Sequence, residues 1–142
     1  MSDPRVELQA EVAVSRRALY RLVSTQEGLA CWLDGVDFES KVGAPVRFWL
    51  RDAEAVGEVL AVDAPQHVSW SWDWVGESLG VPSVVCFDLI EHGARTHLTL
   101  RHVGFRNRAQ RELHETLWRY WFARLLEAAR APSVAAPSVA AS

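Results

Sequence analysis

Between His67 and Trp74 the chain reads His-Val-Ser-Trp-Ser-Trp-Asp-Trp. A strand sends alternate side chains to opposite faces, whereas a helix would scatter these residues around its axis. The segment therefore reads as a strand with Val68, Trp70, Trp72 and Trp74 on one side and His67, Ser69, Ser71 and Asp73 on the other. Three indoles in a row form a broad apolar surface, and another layer of the same chain has to cover it.

The neighbouring text supplies the rest of a sheet. Val85, Phe87 and Leu89 alternate within 83–90, Leu98 and Leu100 lead to His102 within 96–102, and Phe48 and Leu50 fall within 46–51. Further strands are expected at 36–39, at 55–62 and from Arg5 to Val14, with Gly, Pro and Asp turns between them. Ser15, and Ser24 or Thr25, stand as N-caps before two short helices, the second carrying Leu29, Trp32 and Leu33. The cover is 107–130, where Leu113, Leu117, Trp118, Trp121, Phe122, Leu125, Leu126 and Ala129 recur at helical spacing. The expected fold is α+β: a curved, antiparallel, six- to seven-stranded sheet wrapped around a long C-terminal helix, with two short helices after strand one. Residues 1–130 make one domain, and 131–142, a doubled Pro-Ser-Val-Ala-Ala, read as a disordered tail.

Charge and composition narrow the function classes. With 15 basic and 18 acidic side chains the formal charge is -3, so no general attraction to nucleic acid or to an anionic membrane is expected. No apolar run is long enough for a membrane helix and no signal core opens the chain, which points to a cytoplasmic protein. Arg and Ala richness hints at a GC-rich bacterial genome. Cys31 and Cys86 lack CxxC spacing and are expected to be reduced core residues.

A curved sheet gripping a helix leaves space between the two, and such space is lined by aromatic and apolar side chains. The candidate wall is Trp49, Trp70, Trp72, Trp74, Phe87, Leu98, Leu100, Trp118, Trp121 and Phe122, although Trp49 has the opposite parity from Phe48 and Leu50. The same rings packed on one another would make a solid core, and both readings stay open at this stage. His102 shares the parity of Leu98 and Leu100 and is a candidate hydrogen-bonding group for a ligand. His67, His92, His97 and His114 show no zinc-ligand spacing, so no metal and no cofactor is expected. Gly76-Glu-Ser-Leu-Gly80 lacks the context of a nucleophile elbow, and Asp73 with Glu77 does not form an inward carboxylate pair; no catalytic residue is assigned. From Arg101 to Arg130 the chain is +4 while the remainder is -7, and Arg106, Arg108 and Arg111 gather where the long helix begins. That end is a candidate patch for an anion or for a partner's carboxylates.

Several pieces of local text carry a resemblance: Leu29-Ala-Cys-Trp32, Val42-Gly43 followed by Val46-Arg47-Phe48, Gly57-Glu-Val-Leu-Ala-Val-Asp-Ala-Pro65, Thr96-His-Leu-Thr-Leu100, His102-Val-Gly-Phe105, and Trp118, Phe122 and Leu125 in the last helix. In order and spacing they resemble the helix-grip fold of the START and Bet v 1-like (SRPBCC) superfamily, and most of all its branch of Hsp90-ATPase-activator homologues, the AHSA1-like proteins. The likeness spans about 6–128. Ser15, Thr25-Gln26 and Leu117 depart from the residues usual there, and Leu117 adds bulk on the helix that borders the cavity. The resemblance implies a binding scaffold without a shared catalytic residue. The leading expectation is thus non-enzymatic binding of a small apolar or aromatic ligand between sheet and helix, by a monomer or homodimer. A chaperone-directed, Hsp90-co-activator-like protein contact is the rival, and a cyclase- or hydrolase-like activity on a polyketide or aromatic substrate comes third.

Overall fold

The computed structural model describes residues 4–131. Strands β1 (Arg5–Val12), β2 (Gly35–Asp37), β3 (Pro45–Leu50), β4 (Ala53–Asp63), β5 (His67–Trp74), β6 (Ser83–His92) and β7 (Arg95–Val103) form one antiparallel sheet in the order β1-β7-β6-β5-β4-β3-β2. The consecutive strands β1 and β2 sit at opposite edges, and helices α1 (Arg16–Ser24) and α2 (Gln26–Leu29) make the long connection between them. Helix α3 (Arg108–Arg130) follows β7. The sheet is curved and open, and with α3 it makes the helix-grip arrangement expected from the sequence.

Side-chain alternation builds the inner face. Val68, Trp70 and Trp72 of β5, Ser83, Val85, Phe87 and Leu89 of β6, and Thr96, Leu98, Leu100 and His102 of β7 are all buried. The register sets Trp70 opposite Val85 and Phe87 opposite Leu100, so the apolar rows are continuous across strands. The outer face of the same strands is polar. Glu7, Arg101, Asp88 and His67 link β1, β7, β6 and β5 through contacts of 3.0, 3.3 and 2.7 Å. Partly exposed pairs of this kind are worth ~0–1 kcal/mol each and mark the solvent side more than they stabilise it.

Each helix starts where a polar side chain accepts a free amide. Ser15 accepts from the Ala18 N–H, Thr25 from Gly28 and Asn107 from Gln110, at 3.1, 2.9 and 2.9 Å. Helix α3 turns His114, Trp118, Trp121, Phe122, Leu125 and Ala129 inward. Leu113 was expected on that face but is 61% exposed. With Trp118 as the anchor, a residue four positions earlier lies nearly above it, whereas one five positions earlier is rotated by about 140°. His114 therefore takes the inward place. Leu117 and Leu126 are partly buried against the core.

The structure amends two further expectations. The second short helix stops at Leu29, and Cys31 and Trp32 continue it with tighter bonds to the carbonyls of Gly28 and Leu29; Trp32 and Leu33 are buried from this turn. Neither cysteine is a core residue: Cys31 is exposed after α2, and Cys86, on the opposite parity from Val85 and Phe87, is half-buried on the outer face. Both are free thiols. The expected tail falls, from residue 132 on, outside the described residues. Among the described residues no helix is long and apolar enough to cross a membrane.

At Gly57 the β4 backbone passes so close to β5 that a Cβ would overlap the Ser71 carbonyl. Two strands held by their ladder cannot separate to relieve this. Gly57→Ala is therefore expected to destabilise the protein by roughly 2–4 kcal/mol, read as a lower urea midpoint, since it combines overpacking with a broken ladder.

Candidate functional site

The inner face of the sheet, α3 and the turn after α2 bring together a continuous group of rings. Trp70 of β5 meets Phe38, Phe48 and Phe87 at centroid separations of 5.6, 5.4 and 5.7 Å. Trp72 stacks on Phe48 at 5.5 Å and meets Trp74 and Trp118 at 5.3 and 5.7 Å. Trp118 in turn reaches Trp32 and Phe87 at 6.4 and 6.3 Å. These are the separations of rings in edge-on or tilted contact. Trp70, Trp72 and Trp118 each keep 1% of their surface exposed, and Phe48, Phe87, Leu98 and Leu100 keep none. The side chains thus lie against one another, in the interdigitated form of the two arrangements that the sequence left open.

Of the expected wall residues, Trp70, Trp72, Trp74, Phe87, Leu98, Leu100 and Trp118 share the inner face. Trp49 does not. It pairs with Gly35 on the outer face of β3, half-buried, where the absence of a Gly35 side chain leaves room for its ring. Trp121 and Phe122 are buried, and Trp121 lies against Tyr120 at 5.1 Å and beneath the Arg124 guanidinium. Arg124 also donates to the Trp32 carbonyl, and Arg51 lies over the Tyr120 ring at 4.6 Å. Both guanidiniums hold the Tyr120 hydroxyl below its usual pKa by hydrogen bonding to it. Phe38, Phe48, Trp32, Ser83, Phe105 and His114 join the site without having been expected there. Strand parity was the available signal for Phe48 and Ser83, and the four-residue step to Trp118 was the signal for His114.

One polar chain runs through the rings. Trp118 Nε1–H donates to His102 Nδ1 at 2.8 Å. An indole nitrogen only donates, so Nδ1 is the acceptor and the His102 proton sits on Nε2, 2.7 Å from Ser83 Oγ. Ser83 passes its own proton to the Trp72 carbonyl at 2.8 Å. His114 has the opposite tautomer: its Nδ1–H donates to the Gln110 carbonyl at 2.7 Å, leaving Nε2 to accept from Trp74 Nε1–H at 2.9 Å. The two imidazoles lie 5.0 Å apart, with the Phe105 ring 4.5 Å from each.

This direction decides what His102 can do. A serine nucleophile needs an imidazole nitrogen with a free lone pair facing its hydroxyl. Here the nitrogen facing Ser83 already carries the proton, because the other is occupied by an indole. His102 therefore orders the interior instead of drawing a proton from Ser83. Asp73 is likewise structural. Burial pushes its carboxyl up, but hydrogen bonds from the Leu79 amide, the Ser78 hydroxyl and the Trp74 amide outweigh this and hold it below its usual range. Among the described residues no group of three or more His, Cys, Asp or Glu side chains is placed to hold a metal ion.

Two interior donors stand apart from this order. The Nε1–H groups of Trp70 and Trp72 are buried and have no hydrogen-bond partner among the described residues. An unpaired buried donor costs about 1–3 kcal/mol, and phenylalanine would avoid that cost.

The three arginines at the start of α3 do not form one free patch. Arg111 is committed to Glu115 at 2.5 Å, and Glu115 also meets Arg119 at 3.4 Å. Arg106 folds against Gly80 in the β5–β6 loop, while Arg108 is exposed in the first turn. The helix end is served from within the chain, since Asn107 Oδ1 accepts from Gln110 N–H and Gln110 Oε1 accepts from Arg106 N–H.

The sequence profile of the family described as "Activator of Hsp90 ATPase homolog 1-like protein" matches residues 13–130. No curated protein matches the chain. Among solved structures, the protein MLL2253 of Mesorhizobium loti superimposes with a TM-score of 0.79 at 24% identity, over 87% of this chain and 95% of that one. The Aha1 dimer of Colwellia psychrerythraea gives 0.74 at 17% identity, over 87% and 94%. CalU16 of Micromonospora echinospora gives 0.74 at 18% identity, over 92% and 78%. At these identities the likeness is one of fold.

Burial, reinforced for His102 by the neighbouring His114, pushes the His102 pKa well below the ordinary 6.5. Burial also lowers that of His114, against the opposing pull of the Gln110 carbonyl. As pH falls through about 6.5 the unfolded chain takes up these protons first, so the stability the two neutral imidazoles contribute is complete above that pH and is lost below it. Urea unfolding should therefore show a lower midpoint at pH 5 than at pH 7. A flat profile across that interval would contradict the neutral, buried state of the two imidazoles.

Proposed function

The chain belongs to the activator of Hsp90 ATPase homolog 1-like family, and we propose that it is a binding module that holds a small apolar or aromatic molecule between the inner face of the sheet and α3. One observation carries this reading. The interior is walled by aromatic rings from β3, β5, β6, α3 and the turn after α2, yet it buries two indole donors that its own atoms leave unpaired. A core selected for packing alone would have no use for them. The reversed Ser83–His102 pair supports binding over covalent chemistry.

Because the rings interdigitate, a guest has to exchange ring–ring contacts for ring–guest contacts. The route of least resistance is the junction of the β5–β6 loop with the first turns of α3. That junction is held by the 3.3 Å bond from Gln110 Nε2 to the Leu79 carbonyl, by Arg106 against Gly80 and by the Trp74–His114 bond. Trp74 is half-buried there and leads directly to Trp72.

The test is a panel of planar aromatic compounds scored by intrinsic tryptophan fluorescence and by melting temperature together. A true guest shifts both, since binding only the native state adds about 2.7 kcal/mol at 100 times its Kd. If no compound moves both signals, the reading fails.

A protein-contact reading has its own support at the same junction. Val75 and Val81, around the β5–β6 loop, and Arg108 and Leu113, in the first turns of α3, are exposed, and the family description names an activator of Hsp90 ATPase. On this reading the purified protein stimulates an Hsp90-type ATPase. Leu113→Asp with Arg108→Glu then abolishes the stimulation without lowering the melting temperature, because both side chains are exposed.

A further inference from the structure

Trp70 and Trp72 stand two residues apart on one face of β5 and share Phe48 as a neighbour, at 5.4 and 5.5 Å between centroids. Three other indoles of the interior are paired: Trp32 donates to the Leu22 carbonyl at 2.8 Å, Trp118 to His102 and Trp74 to His114. At Trp70 and Trp72 it is thus donors that are left over, beside three indole N–H groups that are satisfied. Around them lie Phe38, Phe48, Phe87, Trp74, Trp118 and His102, none of which carries a charge.

We infer that Trp70 and Trp72 select guests bearing a neutral, acceptor-only oxygen, so that the ligand class is a planar aromatic ketone or similar carbonyl compound. This rests on the binding reading above and adds the chemical class of the ligand. Three exclusions lead to it. A plain hydrocarbon fits the ring faces but leaves both N–H groups unpaired. A carboxylate would accept from them but would be buried with no cation beside it. A phenol or alcohol brings a further donor to an interior whose unpaired groups are already donors, and both His102 nitrogens are occupied. A carbonyl oxygen has two lone pairs and no proton, the complement of what the site presents. Sites that hydrogen-bond their ligand discriminate most strongly against analogues lacking the bonding atom.

Shape-matched pairs test this: 9-fluorenone against fluorene, and 1-indanone against indane, each titrated by tryptophan fluorescence. The wild-type protein is expected to bind each ketone about tenfold or more tightly than its hydrocarbon. Trp70→Phe and Trp72→Phe bring that ratio toward one by weakening the ketone more than the hydrocarbon, and because both members of a pair meet the same smaller ring, the ratio is read independently of what the lost packing costs either variant in stability. A purely structural role for the indoles predicts an unchanged ratio in both variants. In the unsubstituted protein, two indole 1H–15N resonances move downfield with ketone and stay with hydrocarbon, a readout that needs no variant. If ketone and hydrocarbon bind equally, or if the ratio survives in both variants, the inference is overturned while the binding reading stands. The same holds if a water molecule stays on both nitrogens with ketone bound. If neither member of either pair binds, the binding reading falls and this inference with it.

Discussion

An indole nitrogen has one proton and no lone pair to offer, and at Trp118 that asymmetry orders the interior. Its proton fixes His102 as an acceptor at Nδ1, which puts the imidazole proton on Nε2, turns Ser83 into a relay and ends on the Trp72 carbonyl. Four elements are joined by these three bonds: α3, β7, β6 and β5. The same logic, with the tautomer reversed, ties Trp74 of β5 to His114 of α3. Apolar packing presses the helix onto the sheet without specifying its rotation. Directional bonds to two indoles supply that specification, and they do so with neutral imidazoles that avoid the cost of burying charge.

Strand parity and helical spacing made most of the architecture legible. Alternation in 67–74 identified the inner face of β5, and the spacing of Trp118, Phe122 and Leu125 identified the helix that covers it. What stayed hidden depended on rotation and on depth. Leu113 and His114 are adjacent, and hydropathy favours the leucine as the inward residue; only the phase imposed by Trp118 puts the histidine inside. Trp49 was marked by its parity as the exception among the wall candidates, and Gly35 across the ladder explains why so large a ring is accommodated outside. Alternation tells which face a ring occupies, but not whether rings on facing layers stand apart or interdigitate. That depends on the distance between layers, which no local pattern encodes.

The two functional readings make different demands on the core. A module that works by its outer surface needs only that the interior be rigid, and it gains nothing from two buried donors left unpaired. A module that admits a guest needs an interior slightly less complete than it might be, with ring contacts that exchange and polar groups left to be satisfied. Activity and stability pull apart at such positions, because the groups that recognise a ligand are the ones the fold alone cannot satisfy. Trp70 and Trp72 sit beside Trp32, Trp74 and Trp118, each of which has found an acceptor. Their unpaired protons are therefore more informative than the exposed side chains at the helix end, since an exposed valine or leucine costs the fold little and needs no explanation.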